Sequence, residues 1–127
     1  MPKPSNAVSW FELYVNDLAR AKAFYTAVFQ REMQDPATHQ DDTQMCLFVS
    51  DDDGSGAAGA LVKSARMGPG VGGTLVYFSC ANCEEEADRV QAAGGKVFQP
   101  KKSIGQYGFI ALVQDTEGNL IGLHSLQ

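Results

Sequence analysis

The feature that most constrains this chain is an internal repeat. Ser9 pairs with Thr74, Leu13 with Phe78, Asp17 with Asn82 and Phe29 with Gly94, each pair separated by the same 65 positions (82 − 17). Self-similarity at a fixed offset marks a duplicated supersecondary unit, so any fold proposed for the chain must use that unit twice.

Each copy reads as a strand passing into a helix. In the first, Phe11, Leu13 and Val15 alternate with Trp10, Glu12 and Tyr14, which puts an apolar packing face on one side and a mixed aromatic and carboxylate face on the other. Asp17 supplies an N-cap oxygen, and Leu18, Ala21, Phe24, Tyr25 and Val28 recur at helical spacing, predicting an amphipathic helix with a continuous apolar stripe. In the second copy Val76, Phe78 and Cys80 form the packing face, Asn82 is the cap, and Cys83, Ala87 and Val90 form the stripe. Glu84, Glu85 and Glu86 fill the first turn of that helix, where negative charge suits the dipole.

Three further strands follow each helix. After the first we expect strands at Gln30 to Asp35, Met45 to Val49 and Ala57 to Lys63, with a polar loop at Ala37 to Asp42 and a turn at Asp51 to Gly56. The last of these strands carries few side chains large enough to pack. After the second helix, strands are expected at Lys96 to Gln99, Tyr107 to Val113 and Leu120 to Ser125, with Asp115 to Asn119 as a hairpin turn. The Gly- and Pro-dense stretch Met67 to Gly73 separates the copies. The pattern is α+β, two tandem βαβββ units at about 6–65 and 72–127, within a single domain spanning 1–127.

Composition narrows the function classes. A net charge of -5 with scattered Lys and Arg offers no basic footprint for nucleic acid or an anionic membrane. No apolar run reaches the roughly 20 residues of a membrane span, and Met1 to Ser5 lack the apolar stretch of a signal peptide, so a cytoplasmic protein is expected. Three cysteines, an odd number, fit a reducing compartment better than a disulfide framework. A chain of 127 residues can bury roughly two-thirds of its unfolded surface without a metal or cofactor as a staple.

Val15-Asn-Asp-Leu18, Ala23-Phe-Tyr25, Ala92-Ala-Gly-Gly95 and Asp115-Thr-Glu-Gly-Asn119 together resemble the vicinal oxygen chelate superfamily, which holds lactoylglutathione lyase, bleomycin-resistance proteins and extradiol dioxygenases. Within it the chain is most similar to predicted proteins related to lactoylglutathione lyase. The resemblance implies a curved mixed sheet around a cleft, usually completed in a homodimer or within one chain, with a divalent metal that chelates the substrate. It also places the metal ligands of the family, and there the chain departs from it. The histidine of the first strand falls on Trp10, the histidine opening the second copy near Leu75, and the glutamate of the last strand on Gly122. Indole, isobutyl and hydrogen donate nothing to a metal, so no metal and no other cofactor is expected.

Strand parity then selects the candidate site. Trp10, Glu12 and Tyr14 in the first copy, and Leu75, Tyr77 and Ser79 in the second, point away from the helices. Ile121 and Leu123 should pack, leaving Leu120, Gly122 and His124 on the open face. Trp10, Tyr14, Leu75, Tyr77, Ser79 and Gly122 are the expected ligand contacts, for a small, partly aromatic or apolar molecule. A carboxylate among such neighbours needs a partner or becomes a proton donor or acceptor, so Glu12 and His124 are the candidate catalytic pair of an alternative reading, a lyase or dioxygenase-type enzyme. In that reading the reaction is metal-free, or uses metal ligands at shifted positions.

Three other motifs carry less. Cys80-Ala-Asn-Cys83 has redox spacing with Cys83 opening a helix, but Cys80 lies on the packing face by parity. Gly54 to Gly59 matches a dinucleotide fingerprint in letters only, because three aspartates precede it and a strand follows. Lys96, Lys101 and Lys102 read as the solvated edge of a sheet.

Overall fold

The structure is a computed structural model describing residues 6–39, 42–51, 53–54, 56–70, 72–116 and 118–127. Gln40, Asp41, Asp52, Ser55, Val71 and Glu117, which fall in the expected loop, turns and linker, and Met1 to Ser5 lie outside the described residues.

In chain order the elements are β1 (Val8–Tyr14), α1 (Leu18–Phe29), β2 (Ala37–Thr38), β3 (Gln44–Leu47) and β4 (Ala58–Lys63). They continue as β5 (Thr74–Ser79), α2 (Cys83–Val90), β6 (Lys96–Ser103), a 3-10 turn at Gly105–Tyr107, β7 (Phe109–Gln114) and β8 (Leu120–Ser125). The chain divides into a first unit, Trp10–Thr74, and a second, Leu75–Gln127 together with the residues up to Ser9. The backbone shows that exchange: Ser79 N–H donates to the Ala7 carbonyl at 2.9 Å.

The first unit orders its strands β2-β3-β4-β1 and the second β6-β7-β8-β5. In both, the strand before the helix runs parallel to the last strand, β1 with β4 and β5 with β8, while the other neighbours are antiparallel. The duplication read from sequence is therefore a duplication of topology, two βαβββ units of mixed α+β structure.

Both helices start where their caps dictate. Asp17 Oδ1 accepts the Arg20 N–H at 3.0 Å, and Asn82 Oδ1 accepts the Glu84 N–H at 3.1 Å. The core of the second unit follows parity: Cys83, Ala87, Ala111, Val113 and Leu123 are buried together, with Phe78, Cys80, Val90, Phe109 and Ile121 against them. The first unit buries Leu18, Met33, Cys46 and Leu61, backed by Leu13, Val15, Ala21, Tyr25 and Phe48.

Several boundaries differ from the sequence reading. Gln30 to Asp35 is not a strand; Met33 makes one bridge to Phe48, and the short β2 lies inside the stretch read as a polar loop. β4 matches the expected strand poor in large side chains, and Gly59 to Val62 are its buried centre, hydrogen-bonded on both sides. Its small residues are there for space: a Cβ at Gly59 would lie 2.5 Å from the Phe11 ring. β6 continues through Pro100 to Ser103, which an edge strand tolerates because one row of its amides has no partner to serve. The α1 stripe is only partly covered, with Phe24, Val28 and Phe29 each more than half exposed.

Candidate functional site

β1 carries its chemistry on the face turned away from α1. Side chains two apart on a strand share a face, and here three of them interlock: Trp10 Nε1–H donates to Glu12 Oε2 at 3.1 Å, and Tyr14 O–H donates to Glu12 Oε1 at 2.7 Å. Ala60 is the register partner of Glu12 on β4, so a methyl group lies beside the carboxylate where a larger side chain would crowd it. Tyr14 is buried, whereas Trp10 and Glu12 are half-buried. Each carboxylate oxygen keeps acceptor capacity after taking one donor, so the trio presents a fixed hydrogen-bond acceptor next to an indole.

In the second unit, Tyr77 and Ser79 of β5 are in register with Gly122 and His124 of β8. The Tyr77 ring lies against Gly122, in the space a Cβ there would take. Leu75, Tyr77 and Gly122 are buried, so of this face Ser79 and His124 are the polar members that solvent reaches. His124 Nε2 is 2.7 Å from the Tyr107 carbonyl. A carbonyl only accepts, so Nε2 carries the proton, and in the neutral ring Nδ1 is the basic atom.

Glu12 and His124 thus each have a partner within their own unit: the carboxylate is held by two side chains of its own strand, the imidazole by a backbone carbonyl. Strand parity puts Trp10, Glu12 and Tyr14 on one face, and their rotamers decide which of them bond.

The positions to which the family resemblance assigns metal ligands hold no donor set. The indole nitrogen of Trp10 carries a hydrogen already given to Glu12, Leu75 is 1% exposed and aliphatic, and Gly122 has its side-chain space filled by Tyr77. No group of three His, Cys, Asp or Glu side chains converges among the described residues. These residues do not fit a divalent ion.

The remaining motifs resolve as structure. Cys80 sits against the second core, and burial pushes its thiol up to about 12, with hydrogen bonding to Glu86 and the charge of Glu86 adding to the effect. Cys83 is fully buried and its N–H donates to Ser125 Oγ at 3.0 Å, so the pair is packed and capped instead of presented. Gly59 of the fingerprint-like stretch is in β4, with no helix after it, and Asp51 Oδ1 accepts the Asp53 N–H in the preceding turn. Lys101 is committed to Asn82 Oδ1 at 2.9 Å and to the Phe109 ring at 4.5 Å.

A sequence model of the Glyoxalase/Bleomycin resistance protein/Dioxygenase superfamily matches residues 7–123. The chain belongs to this superfamily. Among solved structures, this superfamily member is similar to a methylmalonyl-CoA epimerase in complex with methylmalonyl-CoA and NH4+, at 19% identity and a TM-score of 0.67 over 94% of this chain and 93% of that one. It is also similar to the methylmalonyl-CoA epimerase of Mycobacterium tuberculosis, at 15% identity and a TM-score of 0.68 over 95% and 88% of the two chains. A hypothetical protein of Bacillus halodurans C-125 aligns at 11% identity with a TM-score of 0.73 over 98% and 96%. At these identities the likeness is one of fold. No curated relative matches the sequence.

Proposed function

We propose that this superfamily member is a small-molecule binding protein whose ligand is partly aromatic or apolar and is held without the metal usual in the family. The observation that carries this reading is the trio on β1, a half-buried indole beside a carboxylate fixed by two donors. Such an arrangement holds an aromatic or apolar body by contact and orients one hydrogen-bond donor of the ligand at Glu12. Trp10 and Tyr14, with Glu12 between them, are the proposed contacts in the first unit, and Ser79 in the second. Leu75, Tyr77 and Gly122 give that second face its shape from behind.

Trp10 is the single tryptophan, so its emission reports on this face alone. A panel of glutathione adducts, catechols, epoxides, aromatic amides and CoA thioesters should contain molecules that shift Trp10 emission saturably. The glutathione adducts test the proposed kinship with lactoylglutathione lyase, and the thioesters are included because a structural neighbour holds one. Native mass spectrometry of the purified protein would identify any molecule carried along. A panel with no saturable response, together with a ligand-free native mass, would sink the reading.

A second reading, turnover with Glu12 and His124 as acid and base, is favoured by the fixed carboxylate and by the single free nitrogen left to a neutral His124. Product formation from any panel member, abolished in Glu12→Gln, would decide for the enzyme. We further propose a cytoplasmic homodimer. Among the described residues no helix is long and apolar enough to cross a membrane, and sedimentation at micromolar concentration tests the dimer against a 13.7 kDa monomer.

A further inference from the structure

The opposite side of β1 carries a separate feature. Between α1 and the first unit's sheet lies an open groove of about 340 Å³, lined by Phe11, Tyr25, Phe29, Phe48, Val49 and Arg31 among others. Its rings form a continuous run: Phe11 and Phe48 have centroids 5.6 Å apart, Phe48 and Tyr25 meet edge-on at 5.8 Å, and Tyr25 and Phe29 stack at 5.9 Å with 16° between their planes. Phe29 is 58% exposed and Val49 40%, so the groove leaves large apolar surface in water.

The groove exists because of what β4 and its approach lack. Beneath a helix, a strand ordinarily offers branched aliphatic residues; here the stretch reads Ala57-Ala58-Gly59, and the Phe11 ring settles onto the bare backbone of Gly59. The floor is lowered and the neighbouring rings are left unfilled. At the C-terminus of α1, Gln30 turns the chain with φ of 50°, and Arg31 follows at the mouth of the groove. Its guanidinium has no hydrogen-bond or ion-pair partner among the described residues, and it is the one charged residue among those lining the groove.

We propose that this groove is a second binding site, for a small planar aromatic carboxylate whose ring stacks among Tyr25, Phe29 and Phe48 and whose carboxylate pairs with Arg31. The volume lies in the range of small-ligand sites, stacked and edge-on rings accept a further planar ring, and a guanidinium fork matches a carboxylate in a way a neutral group does not. The site is independent of the Trp10 face, which points to the other side of the same strand.

The test is a nitrogen-15 NMR titration of the full chain with 2-naphthoate and with its neutral analogue 2-naphthalenemethanol. Naphthoate should shift the amides of Tyr25, Phe29, Phe48 and Val49 saturably while the Trp10 indole signal stays in place. The alcohol should bind about fivefold more weakly, the worth of one solvent-exposed charge pair, and Arg31→Gln should bring naphthoate down to the level of the alcohol. Ala57→Leu should fill the floor and abolish the shifts, and the exposed Arg31→Gln variant gives an answer even if that protein fails to fold. Absence of saturable shifts up to about 10 mM, a limit near 3 kcal/mol of binding, would overturn the site. Equal binding of acid and alcohol, unaltered by Arg31→Gln, would overturn the ligand class. Shifts at these amides that follow protein concentration instead of naphthoate would show a second copy covering the groove, and would overturn the proposal as well.

Discussion

The ring of Tyr77 lies over Gly122, filling the volume that any side chain at position 122 would need. The two residues are register partners on β5 and β8, so neither can move away without disturbing the parallel pairing that holds the second unit's sheet. Overpacking at such a contact typically costs about 1–3 kcal/mol. Gly122→Ala should therefore lower the urea midpoint markedly, and in a Tyr77→Ala background the same substitution should cost much less. Equal costs in the two backgrounds would mean that the ring is not the obstacle.

The same contact bears on metal. A carboxylate installed at position 122 would collide with Tyr77 before reaching any ion, and Trp10 and Leu75 bring no lone pair. Protein dialysed against a mixture of Zn, Ni, Mn and Fe is expected to retain well under one equivalent by elemental analysis, and Gly122→Glu is expected not to raise that value. One tightly held equivalent, insensitive to substitution of Trp10, would show that a metal binds through other residues.

The trio on β1 makes a prediction of its own. Replacing Glu12 by Gln keeps the shape but exchanges a charged acceptor for a neutral one, and both bonds survive only with the amide oxygen toward the Trp10 N–H and the NH2 donating to the phenol oxygen of Tyr14. Hydrogen bonds to a charged group contribute about 1.5–3 kcal/mol against about 1 kcal/mol for neutral ones, so the loss of charge weakens both bonds. Glu12→Gln should lower stability and shift Trp10 emission, whereas Tyr14→Phe should lower stability with a smaller change in emission. Emission and stability both unchanged in Glu12→Gln would leave the trio without energetic weight.

How much of this was legible beforehand depends on what kind of interaction set each feature. The strand-to-helix starts were readable because period 2, period 3.6 and a capping Asp17 or Asn82 all agree at one place. Parity likewise placed Phe78, Cys80, Ile121 and Leu123 in the second core and Gly122 and His124 opposite them. β2 was missed because Ala37 and Thr38 are two exposed residues paired only through backbone to Gln44 and Met45, and backbone pairing leaves no side-chain signature. The incomplete cover over α1 was missed for a different reason. Periodicity says which face of a helix is apolar, not whether the strand beneath is tall enough to meet it, and at Gly59 it is not. In the candidate site the face of Glu12 followed from parity, but its bonds to Trp10 and Tyr14 depend on rotamers, and the partner of His124 is a main-chain carbonyl that no motif announces.

Cys80 provides the test by pH. Burial, followed by the hydrogen bonding and charge of Glu86, raises its thiol from 9.0 to about 12, while the backbone of His124 and the neighbouring Cys83 act more weakly in opposite directions. A raised thiol pKa means that the native state holds the proton more firmly than the unfolded chain does. Below pH 9 both states keep it, and the contribution to stability is fully present. Between about pH 9 and 12 the unfolded chain releases its proton first, so the native state binds more protons and stability falls as pH rises. Cys80→Ala removes this dependence and leaves the alkaline titration of the lysines and tyrosines in place. The loss of stability between about pH 8.5 and 10.5, followed by urea denaturation under reducing conditions, should be larger in the wild type than in the variant, and native Cys80 should resist iodoacetamide at about pH 8, where an ordinary thiol near pKa 8.5 reacts. Parallel pH curves for the two proteins, or rapid alkylation of Cys80 in the folded state, would show that the thiol ionises as it does in water and that the Cys80-Cys83 pair is open to chemistry after all.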